Sequence, residues 1–325
     1  MKPLIASLAL IAACAAPALA QQTQPAAPAA AATPTRVAPD PAVEETETIW
    51  AKVGGKDLAA TIYRPKGNSA LLPILVDIHG GAWSSGSHDG DRLYCIQLAK
   101  SGLVVISVDF RQAPDFQHPA GSADVAAAVR FARMNSKMLN ADPLKIGLIG
   151  SSSGGHLALL EALRPEAPQH KGTPISNSPL TKTGANFAAH DEVTANVNYV
   201  VAMWPVSDPA ARYRYAQRAG IEGLKRGSES YFRDETNMWD ASIPRIVTAG
   251  EAKTLPPILV VQPGNDSNIP QDMTFDLLHA WQARGGKLDY VFYPGQPHAF
   301  GHRPSEATTD LIKTVAAFIE RQNNK

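Results

Sequence analysis

Residues 145–160 read K-I-G-L-I-G-S-S-S-G-G-H-L-A-L-L, and few arrangements of a chain accommodate them. Ile146, Leu148 and Ile149 make a short, largely β-branched apolar run of the kind a buried strand needs. The run breaks at Gly150, and an apolar stretch with helical spacing resumes after Gly155. Gly150-Ser151-Ser152-Ser153-Gly154 fills the break and fits G-x-S-x-G with Ser152 at its centre. A sharp strand-to-helix turn lifts the central serine oxygen above a sheet, and the glycines let neighbouring backbone pass close to it. Ser and Gly also populate ordinary turns, so the pattern needs support from the rest of the chain.

That support comes from alternation. Strand patterns at 46–53 and 58–63 are joined by a turn at Gly54-Gly55, and a third lies at 73–78. Further strands are expected at 103–109, around Ile146, and at 198–204, 257–261 and 288–293. Helical patterns fall between them at 91–101, 122–135, from Gly155, at 271–284 and at 306–321. The expectation is an α/β domain over residues 44–325, with a mostly parallel central sheet of about eight strands and helices on both faces. Its two leading strands have no helix between them and predict an antiparallel start. Residues 164–195 and 207–254 break the rhythm and are expected to be insertions above the sheet.

A serine nucleophile needs a base for its proton, and the base needs a carboxylate to hold its tautomer. Both occur at strand ends, in the chain order serine, acid, histidine. Pro263-Gly264-Asn265-Asp266 follows the 257–261 strand and places Asp266 in a turn before a helix. Pro297-His298 follows the 288–293 strand and places His298 in a loop. Asp208, after the 198–204 strand, is an alternative acid, and His302, four residues past His298, an alternative base. Backbone donors for a developing oxyanion are expected from Ser153, next to the nucleophile, and from the loop His79-Gly80-Gly81-Ala82-Trp83 after the third strand.

Taken together, His79 to Trp83, Val108-Asp109-Phe110-Arg111-Gln112-Ala113-Pro114, Gly150 to His156, Gly264-Asn265-Asp266 and Pro297-His298 resemble the α/β-hydrolase superfamily. The chain is most similar there to hormone-sensitive-lipase-like and arylformamidase-like carboxylesterases, including bacterial feruloyl and acetyl esterases. The resemblance implies an α/β-hydrolase fold, nucleophile Ser152, acid Asp266, base His298 and an oxyanion hole of Gly81, Ala82 and Ser153. Ala82 stands where the family's usual third glycine would be, which narrows the acyl side. Asp109, Arg111 and His156 match family positions that stabilise the nucleophile region. Trp83 and Trp204 are candidate substrate-binding residues, and Tyr213, Tyr215 and Trp239 lie near the insertions.

Residues 1–20 carry a signal-peptide pattern: Lys2, an apolar core at 4–13 and a small-x-small site at Ala18-Leu19-Ala20. The apolar core is too short for a stable membrane span. Ile11-Ala12-Ala13-Cys14 offers an alternative, lipid attachment at Cys14. Residues 21–43, rich in Ala, Pro, Gln and Thr, read as a disordered leader. Export to the periplasm or medium is expected on either reading. With Cys14 removed, Cys95 has no intramolecular partner. Formal net charge is zero with 18% charged residues, which provides no basic face for nucleic acid.

The reading is an exported serine hydrolase that cleaves short-chain acyl or aromatic esters through an acyl-enzyme. It takes a small-molecule ester and needs neither cofactor nor metal. An amide-bond hydrolase of arylformamidase or peptidase type uses the same residues, and a non-catalytic binding module on this fold is the third possibility.

Overall fold

The computed structural model of the protein describes residues 39–180 and 186–324. The signal-peptide and Cys14 readings lie outside them. Strands β1 (Val43–Val53) and β2 (Lys56–Pro65) form an antiparallel pair around the Gly54-Gly55 turn. Strand β1 starts earlier than its apolar alternation indicates. Val43 is buried, while Glu44 and Glu45, which hide the pattern, pair with Arg64 and Arg92.

Next come β3 (Leu72–Ile78), α1 (Arg92–Lys100), β4 (Val104–Val108), α2 (Ala120–Met134), β5 (Ala141–Ser151) and α3 (Ser153–Leu163). The remaining major elements are the short strands β6 (Ile175–Ser176) and β7 (Phe187–Ala188), then β8 (Val200–Met203), β9 (Ile258–Asn265), α8 (Gln271–Ala283), β10 (Leu288–Pro297) and α9 (Glu306–Asn323). Strands β4, β3, β5, β8, β9 and β10 lie side by side in parallel, and β2 pairs antiparallel with β4. The expected mostly parallel sheet with an antiparallel start is the observed one.

Alternate residues of the parallel strands feed two cores. Ile74, Val76, Leu148, Val200 and Val260 pack with α2, α3 and α8. Leu75, Val105, Ile149, Val201 and Leu259 pack with α1 and α9 on the other face. Burial on both faces explains why these strands read as continuous apolar runs. From β3 the chain crosses one face through α1 to β4, then the opposite face through α2 to β5 on the other side of β3. Connections that part this way open a crevice at the carboxyl ends of β3 and β5.

The first insertion corrects the expectation. It does not simply lie above the sheet: β6 (Ile175–Ser176) pairs with β1 at Ala51, and β7 (Phe187–Ala188) pairs with β6, so ten strands form one sheet among the described residues. Arg130 of α2, itself buried, donates to the carbonyls of His170 (2.7 Å) and Val193 (2.9 Å) and fastens the segment. The added strands cover the β1 edge, which would otherwise expose unpaired backbone. The second insertion forms four helices, α4 (Pro209–Ala219), α5 (Glu222–Phe232), α6 (Glu235–Asp240) and α7 (Ile243–Thr248). Tyr231, Phe232, Ile243 and Ile246 join the same core as α3.

Candidate active site

Ser152 is the hinge between β5 and α3, with φ 53° and ψ −118°. That is a strained backbone for a residue with a side chain. It holds because the surroundings fix it: Ser152 N donates to Met203 O (2.9 Å), and Val206 N to Ser152 O (3.1 Å). Gly154 is required by contact, since a Cβ there would lie 2.0 Å from Ile78 O. The three adjacent serines are not equivalent. Ser151 and Ser153 are fully buried, whereas Ser152 is partly exposed. Helix α3 starts at Ser153, two residues before the apolar spacing resumes, because its first turn is built of Ser and Gly.

Asp266 follows directly on β9, and its side chain is 1% exposed. Its Oδ1 accepts the amides of Asn268 and Ile269, both at 2.9 Å, and its Oδ2 lies 2.8 Å from His298 Nδ1. His298 Nε2 is 3.0 Å from Ser152 Oγ. A carboxylate accepting from Nδ1–H leaves Nε2 unprotonated, so it can accept the serine proton. The alternative residues are engaged elsewhere. Asp208 caps α4 through the Ala211 amide (2.9 Å) and accepts from Ser242 Oγ (2.9 Å). His302 pairs with the buried carboxylate of Asp91 at 2.9 Å.

The loop after β3 lies against this turn: a Cβ on Gly80 would sit 3.1 Å from Ser151 Oγ and 3.4 Å from Ser152 Cβ. Gly81, Ala82 and Trp83 have φ of 119°, 52° and 58°. No acceptor in the described protein takes the amides of Gly81 or Ala82. Ser153 adds an amide at the first position of α3, where no preceding turn supplies an acceptor. His79 anchors the loop by stacking on Phe110 with ring centroids 4.5 Å apart.

Trp83 and Trp204, expected at the substrate, are both fully buried and present no surface to one. Trp83 stacks on Tyr231 (5.6 Å) and meets Phe232 and His156 edge-on, tying the loop to α5 and α3. Trp204 packs on Phe300 and flanks both His298 and His302. They back the site from behind, where large aromatic area is worth most. Tyr213 donates to Glu229 (2.7 Å), Tyr215 to Ser267 O (2.9 Å), and Trp239 is 48% exposed.

Of the three expected supporting residues, His156 donates its backbone amide to Ser152 O (3.2 Å), and the side chains of all three are engaged with other partners. Asp109 accepts from the His88 amide (2.7 Å), and Arg111 forks onto the buried carboxylate of Asp124. His156 hydrogen-bonds Ala241 O (3.0 Å), and burial pushes its imidazole down to about 3. One neighbour escaped the sequence reading. Arg212 of α4 is buried and donates to Asn268 in the Asp266 loop. A lone arginine in a polar helix carries no signal of burial. Among the described residues no cluster of His, Cys, Asp and Glu has metal-binding geometry, and no helix is long and apolar enough to cross a membrane.

Residues 60–281, more than half of the chain, match the BD-FAE family. The chain belongs to that family. The match contains Ser152 and Asp266 and stops short of His298. Among curated relatives, the chain is 28% identical over 268 residues to isoprenylcysteine alpha-carbonyl methylesterase ICME of Arabidopsis thaliana, covering 81% of this chain and 59% of the relative. It is 26% identical to esterase LipC of Mycobacterium tuberculosis, covering 77% and 58%. The chain thus spans about three-fifths of the length of these relatives. A hyperthermophilic esterase of Pyrobaculum calidifontis superposes with a TM-score of 0.67 over 88% of this chain and 87% of that one, at 24% identity. The fold is that of the α/β-hydrolases.

Proposed function

We propose that the protein is a serine hydrolase that cleaves carboxylic esters of short-chain acyl or aromatic type through an acyl-enzyme. The observation that carries this reading is the chain from Asp266 Oδ2 through His298 to Ser152 Oγ, at 2.8 and 3.0 Å. The similarity to proteins named esterases and to a methylesterase supports it.

Ser152 Oγ attacks the ester carbonyl carbon while His298 Nε2 takes its proton. The carbonyl π electrons move onto oxygen, and the amides of Gly81, Ala82 and Ser153 stabilise the resulting oxyanion. When the tetrahedral intermediate collapses, His298 passes the proton to the leaving alkoxide and an acyl-serine remains. Water then attacks the acyl carbon and gives its proton to His298. The acid departs as the proton returns to Ser152. Asp266 stays ionised throughout and stabilises the imidazolium.

The test is a rate panel on the mature protein with p-nitrophenyl acetate, butyrate and decanoate, methyl ferulate, N-formylkynurenine and an aminoacyl anilide. Fast turnover of the short or aromatic esters is expected, reduced at least about a thousandfold in Ser152→Ala with the fold retained. Preference for N-formylkynurenine or the anilide would make the protein an amidase. Silence across the panel would leave a binding module.

We also propose export to the periplasm or medium, from the cleavage pattern ending at Ala20. The expected mature N-terminus is Gln21, read by intact mass. A lipid on Cys14 would show an anchored lipoprotein, and a retained Met1 would overturn the export reading.

A further inference from the structure

The second insertion places a buried positive charge beside the loop that carries Asp266. Arg212 projects from α4 with 1% of its surface exposed. Its Nε and Nη2 both donate to Asn268 Oδ1, at 2.9 and 2.7 Å. The amide of the same Asn268 donates to Asp266 Oδ1 at 2.9 Å. The guanidinium also lies over the Trp83 ring, 5.8 Å from its centroid, in the oxyanion loop. One turn further along α4, Tyr215 OH donates to Ser267 O at 2.9 Å. Helix α4 therefore grips the 266–268 turn at two successive residues and touches the opposite side of the site through Trp83.

Arg212 differs from Arg130, the other buried arginine among the described residues, in what balances it. Arg130 Nη2 pairs with the carboxylate of Glu166 at 3.2 Å, but Arg212 hydrogen-bonds only a neutral amide, and its Nη1 is buried with no partner. A buried charge without an ion pair is costly, and such costs tend to persist where the charge is used. Burial pushes the guanidinium down to about 10, opposed by the charge of Asp266, so it stays positive at neutral pH. Neighbouring ionisable groups are turned elsewhere. Tyr213 meets Glu229, Arg214 pairs with Glu235, Asp208 caps α4, Asp272 accepts the Met273 amide, and His302 is held by Asp91. His298 itself faces Asp266 and Ser152.

We infer that Arg212 is a positioning residue for the Asp266–His298 pair: through Asn268 it fixes the acid turn, and it keeps a positive charge beside that turn. This rests on the hydrolase reading above. Its consequence is that removing the charge is expected to change how the rate of reaction depends on pH.

The probe is paraoxon, which phosphorylates an activated serine and releases 4-nitrophenolate whatever the natural ester is. Its inactivation rate is followed against pH for the wild type, Arg212→Met, Arg212→Gln, Arg212→Lys and Tyr215→Phe, with thermal melts to confirm folding. The two neutral variants are expected to move the acidic limb by about one pH unit. Arg212→Lys keeps the charge without the fork and is expected to slow the reaction with the limb in place. Tyr215→Phe loosens the same turn without changing charge, and its limb is expected to stay where it is. Folded neutral variants with an unmoved limb would reduce Arg212 to a structural role and overturn the inference. Should neither neutral variant fold, Arg212→Lys decides, because a shifted limb there contradicts the charge argument. A wild type that paraoxon leaves unmodified would instead sink the serine-hydrolase reading, and this inference with it.

Discussion

At the scale of single residues, the site depends on one strained serine and one fully occupied carboxylate. Ser152 holds a positive φ because α3, β8 and the loop after β3 close on it from three sides, leaving space only for glycine at position 154. Each Asp266 oxygen is committed, Oδ1 to two turn amides and Oδ2 to His298. A neutral amide at this position keeps the shape but presents the imidazole with the wrong tautomer. Asp266→Asn is therefore expected to lower turnover by about 10⁴-fold. Asp208→Asn, which keeps an acceptor for the Ala211 amide, is expected to leave turnover within a few-fold. The pair is read from steady-state rates on whichever ester the panel selects. The opposite pattern would move the acid to Asp208.

At the scale of elements, the second insertion is built against the loops that carry Ala82, Trp83 and Asp266. A Cβ placed on Gly227 of α5 would sit 3.3 Å from that of Ala82, so the glycine lets the helix pass close over the oxyanion loop. The Ala82 methyl thus meets α5, and the departure from a third glycine is matched by a glycine opposite. Trp83 continues the contact by stacking on Tyr231. Helix α3 is reached through His156 and the Ala241 carbonyl just after α6, and the acid turn through Arg212 and Tyr215. The first insertion does different work, since Arg130 of α2 holds it and its strand β6 pairs with the β1 edge.

At the scale of the whole molecule, buried ionisable groups pull pH stability in opposite directions. Burial pushes His118 and His170 down to about 4 and His156 to about 3. Each is neutral when folded but takes a proton near its ordinary 6.5 when unfolded, so its contribution is present above that pH and lost as pH falls toward the folded value. Asp77 works the other way: burial, then the neighbouring Asp91, pushes its carboxyl up to about 8. Its contribution is present at low pH and lost as pH rises toward that value. The overall profile is a balance, so a single group must be isolated. His156→Asn is expected to be less stable than the wild type by a constant margin above pH 6.5. Below it the margin narrows by about 1 kcal/mol per pH unit as the wild type loses its own term. Urea denaturation across the range checks this, and a margin that widens on acidification would contradict a neutral buried His156.

The sequence by itself determined the strand–turn–helix at Ser152, the mostly parallel character of the sheet and the positions of Asp266 and His298 at strand ends. Local rules govern all of these: apolar periodicity, glycine where backbone must turn, and short polar loops after strands. The tertiary structure alone decided that Ser151 and Ser153 are fully buried and that His302 belongs to Asp91. It alone turned Trp83 and Trp204 into backing, set the first insertion in the sheet and buried Arg212 behind the acid turn. Each of these depends on contacts between residues far apart in the chain. A tryptophan at a loop or an arginine on a helix has the same local sequence signature whether it faces substrate, solvent or the core. Only packing assigns the side, and in this protein it turned the two indole rings and the guanidinium into the interior.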